Sequence, residues 1–282
     1  MDILKIAVLS GKGGTGKTTI AASLAKVIPG SAYVDCDVEE PNGFLFLNPD
    51  LENNEQVLVP VPEVDADLCT GCGDCVRICQ FNALALVRGQ VIVFPELCHH
   101  CGACALVCKP MAITEEDRSI GTISWSADAS FFQGKLNIGE PAGIPIIRLL
   151  KKTVEGQSSI KTAILDCSPG ASCAVVNSLE GSDYALIVTE PTPFGLHDLK
   201  IAVDLVKQMK IRAGVIINKS GERDEIIEDY CSQADVPVLL KVPYLRKVAE
   251  EYARGILPVE TDENLAVALT DMYTNIRREV KS

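Results

Sequence analysis

Along most of the chain, short continuous apolar runs alternate with stretches whose apolar residues return every three or four positions. That alternation predicts strand–helix–strand units building a parallel sheet covered on both faces. Strands are predicted at 5–9, 32–37, 161–166, 184–189, 213–218 and 236–243. Helices are predicted at 18–27, 144–154, 194–210, 244–254 and 263–278. The last helix carries Leu265, Val267, Ala268, Leu269, Met272 and Ile276, enough to pack on the sheet, and its basic end is too short for a stable membrane anchor. The rhythm breaks from 60 to about 118, where residues 83–93 read as a hairpin turning at Arg88-Gly89. Residues 121–139 read as a short antiparallel excursion, and Trp125, Phe131 and Phe132 as packing residues. The expected fold class is α/β, a doubly wound, mostly parallel sheet in two parts (1–61 and 119–282), with a small α+β unit inserted at 62–118.

The first strand and helix bracket a loop with its own chemistry. Residues 10–19 read Ser-Gly-Lys-Gly-Gly-Thr-Gly-Lys-Thr-Thr, and Gly11, Gly16, Lys17 and Thr18 satisfy G-x-x-x-x-G-K-[ST]. Strand, glycine loop and helix N-terminus aim backbone N–H groups and a positive dipole end at one point, which suits a phosphate chain. Gly11, Lys12, Gly13, Gly14, Thr15, Gly16, Lys17, Thr18 and Thr19 are therefore the candidate nucleotide contacts. Lys17 is expected to reach the β- and γ-phosphates and the Thr18 hydroxyl to ligate Mg²⁺. Asp166 ends an apolar strand, the Walker B pattern, and is expected near Mg²⁺ through water. Asp35 and Asp37 fall at another strand end, the edge where open α/β sheets bind ligands.

Lys12 makes the loop G-K-G-G-T-G-K-T, which resembles the deviant Walker A motif of the MinD/ParA/Mrp ATPases, in the same superfamily as the nitrogenase iron protein. The resemblance implies an ATP-hydrolysing P-loop NTPase in which Lys12 crosses to the nucleotide of a partner, either a second copy or a similar chain. It also implies that Asp37, and less directly Asp35, orients the attacking water. Cys-Ser-Pro-Gly at 167–170 resembles the family's second switch, with serine for its first proline, and implies that Gly170 offers its N–H to the γ-phosphate. Asn218 is implied as the adenine partner, flanked by Val242-Pro243-Tyr244. Lys12, Lys17, Asp37 and Asp166 are the catalytic residues expected on this basis. Cys173, seven residues past Asp166, matches the spacing of a cluster-holding cysteine in the nitrogenase iron protein, but that protein's other ligand has no clear counterpart here. A small packed residue after the switch is the preferred reading, with a transient cluster or electron docking point as the alternative.

Eight of the twelve cysteines fall into Cys69-x-x-Cys72-x-x-Cys75-x-x-x-Cys79 and Cys98-x-x-Cys101-x-x-Cys104-x-x-x-Cys108. This is the run of bacterial two-cluster ferredoxins, in which the fourth cysteine ligates the other cluster. The expected ligand sets are Cys69, Cys72, Cys75 and Cys108 for one [4Fe–4S], and Cys98, Cys101, Cys104 and Cys79 for the other. Structural zinc also takes four cysteines, but not normally in a duplicated triplet spacing. Gly71, Gly73 and Gly102 suit tight turns around a cluster. Gln80 stands where a proline usually follows the fourth cysteine, and Pro110 comes one residue late. His99 and His100 read as exposed loop residues, with tuning of the cluster potential as the alternative.

A net charge of −12 disfavours nucleic acid as a partner. No early signal segment and no apolar run of the ~18–20 residues needed for a span stand out, so a cytoplasmic protein is expected. Cysteines in that reducing compartment point to metal or redox chemistry. Three functions compete: ATP-gated electron transfer to a redox or metalloprotein partner, assembly or carriage of iron–sulfur or metal cofactors as in Mrp, and positioning as in MinD and ParA. Mrp's paired C-x-x-C near the C-terminus is absent.

Overall fold

The computed structural model describes residues 3–281; Met1, Asp2 and Ser282, which end the predicted ranges, lie outside the described residues. The chain begins β1 (Leu4–Leu9), α1 (Lys17–Val27), β2 (Ser31–Asp35), α2 (Phe44–Leu47) and β3 (Asn53–Val64). It leaves the sheet through α3 (Asp74–Ile78), β4 (Leu84–Val87), β5 (Gln90–Val93) and α4 (Ala103–Leu106), and returns as β6 (Ile113–Trp125) and β7 (Phe131–Leu136). Then follow α5 (Ile144–Glu155), β8 (Thr162–Asp166), α6 (Cys173–Leu179), β9 (Tyr184–Thr189), α7 (Pro193–Gln208) and β10 (Arg212–Ser220). The last elements are α8 (Glu225–Ala234), β11 (Val238–Pro243), α9 (Arg246–Tyr252) and α10 (Glu263–Lys281).

Among the described residues, nine strands form one sheet in the order β11-β10-β9-β1-β8-β2-β7-β6-β3. From β11 to β7 every pairing is parallel, while β6 runs antiparallel to both β7 and β3. Alternation along β1 splits the core in two. Ala7 and Leu9 face a cluster built with Ile146, Val175, Leu199 and Ile227 from α5 to α8. Ile6 and Val8 face Ile20 and Leu24 of α1 and Leu265, Leu269, Met272 and Ile276 of α10. Both faces of the sheet are thus covered, as its continuous apolar strands require. Phe131 and Phe132 are buried on opposite faces of β7, and Trp125 stacks on Phe132. In α10 the packing stripe omits Val267, which faces solvent.

Two features depart from the sequence pattern. The stretch at 121–139 is no short excursion: β6 is a 13-residue strand of the main sheet, and β7 carries the sheet on from β2. Its partner β3 has no counterpart in the predictions, because NNEQVLVPVPEV contains two prolines. Prolines survive in strands at sheet edges, and β3 is the edge, pairing Pro60 with Asp117 and Pro62 with Glu115 along its open-sided ladder. The segment outside the sheet therefore runs from 65 to 112, at the tip of the β3–β6 ladder. Helices α2, α3, α4, α6 and α8 are also unpredicted. The first four are too short to show a period, and in α8 only Ile227 and Cys231 are buried. The 83–93 hairpin forms as predicted, with Arg88 and Gly89 both at positive φ (51° and 84°), as a two-residue turn demands.

Candidate functional site

The glycine loop lies between the C-terminal end of β1 and the start of α1, at the edge where β8, β2, β9 and β10 also end. Gly16 caps α1 at φ 88°, and a Cβ there would meet Asn218 Nδ2 at 2.2 Å, so only glycine fits. Asn218, at the end of β10, donates through Nδ2 to the Thr15 carbonyl at 2.7 Å. Thr15 Oγ1 is buried and has no hydrogen-bond partner among the described residues. Beside Gly14, Gly16 and Thr19 opens a cavity of about 320 Å³, walled by Asn218, Pro243, Tyr244 and Tyr252. Its size and mixed apolar and polar lining suit a planar heterocycle attached to phosphates on the loop.

Beneath the loop sits a buried ionic cluster. Lys17 Nζ is 2.5 Å from Asp166 Oδ1, and the Tyr33 hydroxyl donates to Asp166 Oδ2 at 2.7 Å. Burial works against a charged Lys17, but the charge and hydrogen bond of Asp166 outweigh it and raise the pKa. Asp35 accepts N–H bonds from Asp37, Asn42 and Gly43 at 3.2, 3.1 and 3.0 Å. Burial first, and then Asp166, push its carboxyl up to about 7 despite those donors. Asp37 is nearer the surface, where the Ser168 hydroxyl donates to Oδ1 at 3.1 Å and joins the segments after β2 and β8. The Gly170 N–H donates to the Ser10 carbonyl at 2.8 Å. Lys12 turns within its own chain to Glu190, 2.5 Å away, which also holds Lys219 at 3.1 Å. Burial alone would raise the Glu190 carboxyl, but hydrogen bonds from the two lysines outweigh it and hold it low.

The eight motif cysteines gather in two pockets outside the main sheet. One is lined by Cys69, Cys72, Cys75 and Cys108, with Val64, Val91 and Ile113. The other is lined by Cys79, Cys98, Cys101 and Cys104, with Pro60, Phe81 and His100. Each pocket holds three cysteines of one motif and the fourth of the other. Among the described residues no three His, Cys, Asp or Glu side chains converge on a point that would hold a single metal ion. Four thiols spread around a pocket suit a cubane, whose irons take one thiolate each. Burial pushes the Cys75, Cys98 and Cys104 thiols up, while backbone N–H groups pull them down. Cys36 and Cys167 behave differently: both are fully buried in the core, and burial drives Cys167 to about 12. They are packing residues with neutral thiols.

Comparison with known proteins places this architecture. The CobQ/CobB/MinD/ParA nucleotide binding domain matches residues 6–259. The chain belongs to that family. Uncharacterized protein MJ0579 of Methanocaldococcus jannaschii is 31% identical over 260 residues, spanning 90% of this chain and 91% of that protein. Among solved structures, the Pyrococcus furiosus cell division ATPase MinD superposes with a TM-score of 0.58 at 18% identity, over 97% of this chain and 99% of that one. The Pyrococcus horikoshii septum site-determining protein MinD, complexed with Mg-ADP, gives 0.56 at 20% identity, over 96% and 94%. These two likenesses show the fold.

Within this CobQ/CobB/MinD/ParA chain, the loop residues, Asp35, Asp37, Asp166, Gly170 and Asn218 all come to one sheet edge. Cys173 is exposed at the start of α6, apart from both cysteine pockets, and so is not the packed residue expected from the sequence. Sequence reasoning missed Glu190 and Tyr33. Glu190 follows β9 at the ligand edge of a parallel sheet, the same positional signal that singled out Asp35. Tyr33 gave no signal, since a strand tyrosine reads as core until its hydroxyl is seen on Asp166. No helix among the described residues is long and apolar enough to cross a membrane.

Proposed function

We propose that this chain is an ATP-binding and ATP-hydrolysing iron–sulfur protein that couples nucleotide state to two [4Fe–4S] clusters, for electron transfer to a partner protein. The observation that carries it is the crossed composition of the two cysteine pockets, on the same chain as a complete phosphate loop. The Pyrococcus horikoshii MinD complex with Mg-ADP supports the nucleotide and metal assignment. MgATP sits along residues 11–19, with adenine in the cavity beside Asn218 and Tyr244. Thr18 and Asp166 hold Mg²⁺, and Lys17 turns from Asp166 to the phosphates, where it and the loop N–H groups stabilise developing charge. Asp37 orients water, and Lys12 exchanges Glu190 for the nucleotide of a second chain.

The clusters supply one-electron chemistry at the tip of the β3–β6 ladder. Coupling has a mechanical path. The segment after Asp35 is tied to β7 by the Leu136 N–H donating to the Val38 carbonyl at 2.8 Å, and β7 pairs with β6, which leads to both pockets. A nucleotide that shifts the segment at 36–43 shifts the base of that ladder.

Anaerobic purification followed by iron, sulfide and ATPase assays tests the proposal. It requires about eight irons and eight sulfides per chain, with Lys17-dependent hydrolysis. Zinc in their place, or no metal, overturns it. A positioning ATPase is a second reading, favoured by the likeness to MinD. It requires that Cys72→Ser and Cys101→Ser variants, stripped of clusters, still localise in response to ATP.

A further inference from the structure

The two cysteine motifs fold as copies of one another, and the backbone shows it. Gly73 and Gly102, which stand just after Cys72 and Cys101, have φ of 75° and 69°. Asn82 and Met111, three residues past Cys79 and Cys108, have φ of 55° and 54°. The position just before Cys72 and Cys101 is also left-handed in both copies, but there the residues differ in kind: Gly71 at 68° and His100 at 59°. Left-handed backbone disfavours a side chain by roughly 1–2 kcal/mol. At Gly71 a Cβ would also meet the Gly89 carbonyl oxygen at 2.6 Å. The second copy tolerates both the strain and the bulk of an imidazole.

His100 lines the pocket of Cys79, Cys98, Cys101 and Cys104. Both its ring nitrogens are buried and neither has a hydrogen-bond partner among the described residues. Pro60 lines the same pocket, but its carbonyl makes no hydrogen bond to either nitrogen. His99 differs: it is exposed, with its ring stacked on Phe81 at 3.9 Å. A buried imidazole always carries at least one N–H donor, and leaving it unpaired is unfavourable by about 1–3 kcal/mol. Pro60 and Glu115 also line this pocket, yet neither bonds the ring, so a left-handed histidine with an unpaired donor beside four thiols calls for a further acceptor inside it.

We propose that His100 is a positioning residue that donates an imidazole N–H to the sulfur shell of the second cluster, a hydrogen bond the first cluster lacks because Gly71 stands in its place. The inference rests on the two-cluster reading above. A donor to the sulfurs stabilises the more negative, reduced cluster, so it raises that cluster's potential. The two sites are then inequivalent in a definite sense. The second pocket, which includes Pro60 and Pro62, lies nearer the main sheet than the first, which abuts Val64 and Ile113 at the end of the ladder. His100 therefore biases the electron toward the cluster on the ATPase side.

EPR-monitored redox titration of the anaerobic, cluster-loaded full chain tests this with two variants. His100→Gly reproduces the first motif and relieves the backbone strain, and His100→Asn keeps an N–H donor in a residue that accepts left-handed φ. The expected result is a tenfold or larger fall in the reduced-to-oxidised ratio of one cluster at a fixed potential in His100→Gly, equivalent to about 59 mV for one electron. The other cluster stays unchanged, and His100→Asn restores most of the loss. No shift in either cluster, equal shifts in both, or an asparagine variant indistinguishable from glycine overturns the inference while leaving the iron count intact. A wild-type chain that takes up no iron overturns the inference together with the cluster reading.

Discussion

Lys17 and Asp166 form a 2.5 Å ion pair with almost no solvent contact, one from the glycine loop and the other from the end of the adjacent strand. Each is the other's charge partner, and each is expected to contact the nucleotide complex, Lys17 the phosphates and Asp166 the Mg²⁺. We propose that the phosphate and cation of a bound nucleotide separate the pair.

Removing one partner strands the other. Lys17→Ala leaves Asp166 buried without its cation, held by the Tyr33 hydroxyl and close to the Asp35 carboxyl, and a broken buried pair loses about 3–5 kcal/mol. Urea denaturation of the nucleotide-free protein measures the loss. Adding Asp166→Asn to Lys17→Ala recovers most of it, because no unpaired charge remains. An equal loss in the single and double variants contradicts the account.

One lysine faces two carboxylates in this cluster, and Asp35 is the one whose pKa is pushed up to about 7, by burial first and then by Asp166. Its ordinary value is 3.8, so the folded state binds the proton more tightly than the unfolded state. Stability from this group is full below pH ~4, falls as pH rises toward ~7, and is flat beyond, with a slope of at most ~1.4 kcal/mol per unit. Unfolding free energies of wild type and Asp35→Asn in EDTA should therefore converge or cross in favour of the variant between those limits. A difference independent of pH contradicts the assignment.

The unit at 65–112 has a small core in which Cys75, Leu84 and Cys104 pack against Ile113 at the start of β6. So few aliphatic groups cannot order such a segment without a staple. Iron chelation should increase amide hydrogen exchange across α3, α4 and the β4–β5 hairpin by at least tenfold. Protection in β1, β8 and β9, which lie in the main cores, should persist.

Lys12 and Glu190 are partly exposed, so their pair contributes less than ~1 kcal/mol to stability. Glu190→Gln should unfold at nearly the wild-type temperature. Lys12→Ala should also keep its stability but lose MgATP-dependent self-association in sedimentation velocity, as expected of a lysine that serves a neighbouring chain.

Much of this was legible before any coordinates. The central strands β8 and β9 announce themselves because both faces of each are buried, and the phosphate loop and cysteine spacing because chemistry fixes the residues one by one. The edge strand β3 was hidden, since Pro60 and Pro62 are penalised in a central strand and tolerated only at an edge. Glu190 was hidden by distance, lying far from Lys12 in sequence and adjacent only once β9 settles beside β1. His100 read as an exposed loop residue because only its left-handed backbone and its buried ring nitrogens set it apart from His99.

We infer that nucleotide state reaches the clusters. An anaerobic EPR-monitored redox titration of the loaded protein, with and without MgATP and repeated on Thr18→Ala, tests it most directly. MgATP should change the reduced-to-oxidised ratio of at least one cluster severalfold at a fixed potential, and the variant should not respond. Identical titrations with and without MgATP, in a protein that retains all its iron and hydrolyses ATP, would contradict it.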